Sequence, residues 1–583
     1  MILTEDQLRD LLDKSLAELP GTDRFAVVLE GSVAEGFGNP SSDIDFLLVG
    51  RGGEDLPTMP SLLFVDGRRV EVRTRSAGQL ADQFARLEDR ARRPGTLDED
   101  LLNRCQRFLH SHPLRDRALA DEVKALMPAE RFRRIAADWW AHRARQSLRH
   151  AEALLCLGAD EEAVDWSRAA LVQTVKAWAA GLGETYLEPK WLSLQLDRIG
   201  RADVRDRYWE LQSAHPAPGD LDAARDHLSD CVGFATGLGL TGVRGGPGRI
   251  TVRRAPGVTT WQTGGTTHVV RRRREVFALG DRSGAVWRSL VPGRSLPRAI
   301  AVAEDPGAPA PGPLLAAFWR YGLIRLAWKG GGTISASLPL AAPPGPVTPP
   351  PSRARPLLSI HGAAVGGPDA VELVPLPAER FAAAAMNLVW SNVVVENAIE
   401  DLTGALARGQ WRVAELTARR AVHAALRGLF SAYGVHPLPA DCDLVHRMDL
   451  LPRATGPIRT RARQLLRRTA GSAARGESLH ADLRAFVALV RDATGSAGFP
   501  SCFDSADAWR ATLELGYDWL RIGTHLDVEL PIDEARDLLA GRGAQPYDGG
   551  ARPYDGRPQP YDTAAQPPGD SQPHGATQPH HGG

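Results

Sequence analysis

Apolar residues recur at three- and four-residue spacing across residues 4–19, where Leu8, Leu11, Leu12, Leu16 and Leu19 form one stripe. Thr4 precedes the stripe and Gln7 follows three residues later, a capping box that predicts the start of a helix. Phe25 to Glu30 is a short apolar run, broken by Gly31-Ser32, and a short helix is predicted over Val33 to Phe37. Asp43 to Val49 is a second predicted strand. Leu62 to Val65 and Arg69 to Thr74 flank Asp66-Gly67, which signals a tight hairpin. From 128 to 240 the pattern is helical, with segments over Phe132–Leu157, Glu161–Leu182 and Lys190–Ile199. Residues 250–335 break into strand-like pieces, an arginine run from Arg271 to Arg274, and two helical stretches. The pattern therefore predicts a multidomain α+β chain. A small mixed-sheet domain spans 1–115, a helical bundle 116–245 and a strand-and-helix module 250–335. A Pro-rich linker with short strands follows at 336–378, then a second bundle at 379–540 and a tail at 541–583.

The two helical blocks can be compared directly. SRAALVQTVKAWAAGLGETYL from Ser167 lies on ARRAVHAALRGLFSAYGVHPL from Ala418 without a gap, and both run into a glycine stop, Gly183 and Gly434. An internal duplication and two ordinary Ala/Leu/Arg helices both fit this. In the tail, Pro-Tyr-Asp recurs at Pro546, Pro553 and Pro560. Pro and Gly exclude a packed helix there, so disorder is expected, and His574, His580 and His581 read as solvated rather than as metal ligands.

Composition narrows the classes. The 583 residues carry 70 basic and 70 acidic side chains, so the formal net charge is zero and nucleic acid is an unlikely partner. No run of about 18 apolar residues is present, so no membrane span is expected. The cysteines Cys105, Cys156, Cys231, Cys442 and Cys502 are scattered and form no CxxC pair, which predicts a reducing, cytoplasmic setting. Lysine occurs only at Lys14, Lys124, Lys176, Lys190 and Lys329; a GC-rich genome accounts for the arginine excess but makes each lysine more informative.

The candidate chemistry lies in Glu30-Gly31-Ser32 followed after ten residues by Asp43-Ile44-Asp45. Alternation along a strand puts Asp43 and Asp45 on one face, where two carboxylates repel unless a cation neutralises them. Mg²⁺ suits such a pair together with phosphate oxygens. The Gly31-Ser32 turn offers backbone N–H groups and a hydroxyl to a triphosphate, and Gly31 allows close approach. Glu71, between Val70 and Val72, points away from the core and is the expected third carboxylate; Asp66 competes but reads as a turn residue.

Gly31-Ser32, Asp43-x-Asp45 and Glu71 together resemble the nucleotidyltransferase superfamily of the DNA polymerase β type. The nearest likeness is to minimal and antibiotic-modifying enzymes, such as kanamycin, streptomycin and lincosamide nucleotidyltransferases, which join a short α/β domain to a helical bundle. Val175-Lys176-Ala177-Trp178 and Glu188-Pro189-Lys190-Trp191 are similar to the bundle segment of the streptomycin type. That likeness implies Lys190, and less closely Lys176, as a ligand of the nucleotide phosphates; a solvated helix side chain is the alternative. Trp166, Trp178, Tyr186 and Trp191 line an acceptor pocket or pack in the core. The resemblance implies two Mg²⁺ ions held by Asp43, Asp45 and Glu71, an NTP donor with ATP the default, and transfer of an NMP, as adenylylation, to a hydroxyl. Glu71 is then a third metal ligand or the general base.

Residues 250–335 resemble the PqqD-like winged-helix module in Leu279-Gly280-Asp281, Ala285-Val286-Trp287, Leu290-Val291-Pro292-Gly293 and Tyr321-Gly322-Leu323-Ile324. The resemblance implies a peptide acceptor; without it, a small molecule such as an aminoglycoside-like natural product is expected. Two other classes bear on the bundles. Toxin ribonucleases of the HEPN type need an Arg, four to six residues and then a His, whereas Arg419 and Arg420 precede His423 by only four and three positions. A non-catalytic peptide-binding scaffold is opposed by the intact Asp43, Asp45 and Glu71. The sequence leaves the oligomeric state open.

Overall fold

The computed structural model describes residues 3–334 and 378–497 except 20, 23, 53–55, 57–60, 93–96, 98, 264–265, 272–274, 436–437 and 452, together with 499, 505, 507 and 508. The Pro-rich segment, the short strands expected near it, most of the arginine run, Cys502, the end of the second block and the tail lie outside the described residues.

The first helix, α1 (Glu5–Ala17), begins with the expected capping box between Thr4 and Gln7, and buries Leu8, Leu11 and Leu12. Strand β1 (Ala26–Glu30) leads into a single turn, α2 (Gly31–Ala34), then β2 (Ile44–Gly50) and the hairpin β3 (Ser61–Val65) and β4 (Arg68–Ser76). Asp66 and Gly67 make the hairpin turn with φ of 50° and 71°, and Asp66 pairs with Lys14 at 2.6 Å. Helices α3 (Ala77–Ala91) and α4 (Glu99–Leu109) and strand β5 (His112–Arg115) complete the unit. The five strands run β3-β4-β2-β1-β5. Only β2 and β4 are parallel, so the sheet is mixed.

Alternate side chains of β1 and β2 enter two cores. Val27, Leu29, Phe46 and Leu48 pack with the α1 stripe. Ala26, Val28, Leu47 and Val49 pack with α3 and α4 on the other face. That second core also takes in Leu119 and Val123 of α5 (Arg117–Lys124), and Phe132, Trp139 and Trp140 of α6 (Ala129–Cys156). The sheet is thus continuous with the first helical block.

That block continues with α7 (Asp160–Gly181), α8 (Leu192–Ile199), α9 (Ala202–Ser213) and α10 (Leu221–Gly237). The module beyond it holds β6 (Ile250–Arg254), β7 (Val258–Thr263), β8 (Thr266–Arg271), β9 (Glu275–Leu279), α11 (Asp281–Ser289), β10 (Arg294–Ser295), α12 (Leu296–Ala303), α13 (Pro311–Arg320), β11 (Ile324–Trp328) and β12 (Gly332–Ile334). Three short helices stand where the pattern predicts two stretches. A proline in the first turn of both α12 and α13 starts each anew, because the missing N–H is lost without penalty there. The module shares one hydrophobic core with α6–α10.

The second block is α14 (Ala378–Ala407), α15 (Trp411–Ala432), α16 (Gly456–Leu466) and α17 (Ala473–Thr494). Both blocks open with two long antiparallel helices, and α7 and α15 stop just before Gly183 and Gly434. Each is then followed by a 3₁₀ turn, at Pro189–Trp191 and Asp441–Asp443. The blocks meet reciprocally. Trp166 Nε1 of α7 donates to Asp443 Oδ1 at 3.0 Å, and Arg420 of α15 pairs with Glu188 beside the first 3₁₀ turn at 2.5 Å. Arg447 adds a buried pair with Glu162 at 2.9 Å. Among the described residues no helix is long and apolar enough to cross a membrane.

Candidate active site

Strand register builds the acidic centre. Asp45 on β2 lies opposite Glu30 of β1 and opposite Glu71 of β4, so three carboxylates form one row across three strands. Asp43 immediately precedes β2. Val70 and Val72 are buried in the α1-side core, and strand alternation sends Glu71 to the other face. Oxygens of Asp43, Asp45 and Glu71 all lie within 4.8 Å of one another, close enough for a shared metal ion.

Each of these carboxylates has its own arginine. Arg69 Nη2 is 3.3 Å from Asp43 Oδ2, Arg107 Nη2 is 2.9 Å from Asp45 Oδ1, and Arg73 Nε pairs with Glu71 Oε1. Arg69 and Arg73 flank Glu71 on the same face of β4, and Arg107 comes from α4, where it also reaches Glu30 at 3.5 Å. The Arg107 contact is an ion pair without hydrogen-bond alignment, and its buried Nε and Nη2 groups make no hydrogen bond among the described residues.

Asp45 Oδ2 faces Gly31. Gly31 has φ +73°, and a Cβ there would stand 2.1 Å from Asp45 Oδ2. The glycine therefore serves both the left-handed turn and the carboxylate's approach. Ser32 follows in the first turn of α2, where its carbonyl accepts from the N–H groups of Phe37 and Gly38 at 2.8 and 2.9 Å.

The charges are unevenly matched. Burial raises the Asp43 carboxyl, but Arg69, Lys190 and Arg107 together hold it below its ordinary value. Asp45 is pushed up to about 7: burial acts most, and the carboxylates of Asp43 and Glu71 add to it against the opposing pull of Arg107. Three converging carboxylates with one strained ionisation are a donor set suited to a hard divalent cation.

The two lysines lie in different places. Lys190 is at the rim, with Nζ 2.5 Å from Asp401 Oδ2 and 3.5 Å from Glu188 Oε2, and its charge acts on Asp43. Lys176 is not with the carboxylates. It is buried, and its ammonium donates to the carbonyls of Tyr186 and Glu188 at 2.8 and 3.0 Å and to Gln195 Oε1 at 2.5 Å. It ties α7 to the segment before α8, in spite of burial that pushes its pKa down to about 7. Lys176→Met leaves these buried acceptors unmatched, and we expect a loss of about 2–3 kcal/mol in denaturant unfolding. Of the aromatic candidates, Tyr186 and Trp191 pack with Phe37 in the core of the second block, and the Phe37–Trp191 rings stack at 5.9 Å. Trp178 packs against the core shared by the first block and the module.

Helix α14 closes one side of the centre. Its Gly404 lets the helix rest on Asn39, since a Cβ would meet Asn39 Oδ1 at 2.1 Å. Asn39 Nδ2 donates to the Asp401 carbonyl at 3.3 Å, and Arg408 Nη1 donates to the Gly38 carbonyl at 2.9 Å. Glu400 takes the second arm of Arg69 at 2.9 Å. Sequence reasoning missed Arg69, Arg73 and Arg107, along with Glu400 and Asp401, and gave Glu30 no role of its own. The first two were legible from alternation with Glu71; Glu400 and Asp401, over 300 residues away, left no local signal.

Residues 9–101 match the family model of the nucleotidyltransferase domain. The match covers most of α1, the Gly31-Ser32 turn and the carboxylates Asp43, Asp45 and Glu71. No curated protein matches the chain.

Proposed function

We propose that this nucleotidyltransferase-domain protein moves an NMP from an Mg²⁺-bound NTP, with ATP as donor, to a hydroxyl of a small molecule or peptide and releases pyrophosphate. The observation that carries this is the convergence of Asp43, Asp45 and Glu71 within 4.8 Å beside the Gly31-Ser32 turn. Asp43 and Asp45 would hold two Mg²⁺ ions, which when bound offset triphosphate charge and acidify the acceptor hydroxyl. Asp43 and Asp45 orient the donor, and Ser32 and the first-turn N–H groups face its phosphates. Arg107 and Lys190 add positive charge around the row. The acceptor oxygen forms its bond to the α-phosphorus as the bond to the β-phosphate bridging oxygen breaks. The electron pair leaves on pyrophosphate, and Glu71 Oε2 takes the hydroxyl proton. Mass spectrometry of candidate acceptors incubated with each NTP and Mg²⁺ tests the reading. A gain of one NMP supports it; NTP cleavage to NDP and phosphate without such a gain sinks it.

The metal affinity carries a pH signature. A proton competes with the cation for Asp45, whose pKa is raised to about 7. Mg²⁺ affinity is therefore expected to be level above pH 7 and to fall about tenfold per unit below it, as read by calorimetric titration.

A peptide acceptor has its own support. Strand β7 is an edge of the β7-β8-β9 sheet and carries Trp261, 67% exposed. An extended peptide adds to such an edge. Affinity measurement with candidate peptides separates it from a small-molecule acceptor. The setting we infer is the reducing cytoplasm, since Cys105, Cys156, Cys231 and Cys442 are free thiols.

A further inference from the structure

A cavity of about 900 Å³ lies between the two helical blocks, walled by α7, α15, α16 and both 3₁₀ turns. Trp166, Val172, Leu416 and Leu466 give it apolar wall. At one end Arg168, Arg419, Arg467 and His215 line it together. Arg168 and Arg419 occupy the same position in the gap-free sequence alignment of the two blocks, and the second block adds Arg467. Arg168 is fixed by donating to the Gln212 carbonyl at 2.7 Å. The Nε groups of Arg168 and Arg419 are buried and make no hydrogen bond among the described residues. The nearby Tyr208 hydroxyl is fully buried, likewise makes no hydrogen bond among the described residues, and lies in the field of Arg419 and Arg168.

Of the nearby carboxylates, Asp165 is shared between His446 and Arg168, and Glu415 is engaged by Arg412 and a backbone N–H. Asp165 is 2.8 Å from His446 and 3.5 Å from Arg168. Glu415 pairs with Arg412 at 2.9 Å and accepts the Ala470 N–H at 2.9 Å. The cations oppose one another. Burial lowers Arg168 most, and Arg419 and Arg467 lower it further, to about 10. His215 is lowered by burial and by the same three arginines. Three converging guanidiniums, two of them with a buried unpartnered Nε–H, at the end of an organic-sized cavity are the inverse of a dianion.

We propose that this junction binds a phosphomonoester. The phosphate sits among Arg168, Arg419, Arg467 and His215, and an apolar body extends along the Trp166 and Val172 wall. Lys190 lines the same cavity, but none of these four cationic residues belongs to the carboxylate row or its partner arginines, and binding here does not depend on nucleotidyl transfer. The test is calorimetric titration of the full chain with phenyl phosphate and with inorganic phosphate, in EDTA so that no metal can recruit the anion. We expect one site for phenyl phosphate, tighter than for inorganic phosphate and weakened by added salt. Arg419→Gln and Arg467→Glu should each reduce affinity at least tenfold, whereas Asp45→Asn should not change it. Arg467 is exposed, so its substitution spares the fold; circular dichroism checks both variants. Absence of binding, or equal binding by folded Arg419→Gln and Arg467→Glu, would overturn the proposal, as would loss of binding in Asp45→Asn. A short single-stranded RNA that binds more tightly than phenyl phosphate through the same arginines would overturn it in favour of a nucleic-acid site.

Discussion

Asp45→Asn is expected to lower nucleotidyl transfer at least a thousandfold while leaving the chain folded. Asparagine keeps the shape but removes the charge that must face the cation. A thousandfold loss corresponds to about 4 kcal/mol of transition-state stabilisation, a size typical of losing a group that acts only once the metal–nucleotide complex is seated. Two effects on stability oppose each other. The neutral amide relieves the repulsion from Asp43 and Glu71 that, with burial, raises Asp45 to about 7. It also leaves Arg107 with Glu30 as its nearest counterion, at 3.5 Å. The net change should be within about 1 kcal/mol, measured by denaturant unfolding. Normal transfer by the folded variant would remove Asp45 from the mechanism.

Gly31→Ala should be nearly as damaging, by another route. The added methyl meets Asp45 Oδ2 at 2.1 Å in a backbone with φ +73°. A left-handed alanine alone costs about 1 kcal/mol, and the collision must move either the carboxylate or the turn. Either movement separates the two halves of the donor site, so transfer should fall at least a hundredfold and unfolding free energy by about 2 kcal/mol. Steady-state kinetics and a melt on the same preparation read both. A variant with wild-type kinetics would show that the close approach has no part in catalysis.

The catalytic sheet was legible because its signals are local. The capping box at Thr4, the Asp66-Gly67 turn and the alternation around Glu71 each involve neighbours in sequence, and each reappears in the structure. The same alternation places Arg69 and Arg73 beside Glu71, although charge on a strand reads equally as solvent exposure. Lys190 was legible as unusual but not in its partner, since Asp401 arrives from the other block. Lys176 shows the limit of rarity as a signal: the position rewards an ammonium that reaches three acceptors at the end of a thin stem, a structural demand rather than a catalytic one. The helix pattern of 250–335 blurred α12 and α13 into neighbouring segments, because eight to ten residues hold too few turns for periodicity to divide them.

The docking of α14 on Asn39, with Glu400 and Asp401 at the rim, has a consequence for synthesis on the ribosome. The carboxylate row and its arginines are all translated by residue 107, whereas Asp401 follows almost 300 residues later. At about 5–20 residues per second the interval is roughly 15–60 seconds. Through that time the nascent chain can hold a formed acidic cleft without its outer wall. If Asp43 and Asp45 hold metal as proposed, an immature chain would bear it before α14 supplies Glu400 and Asp401 at the rim.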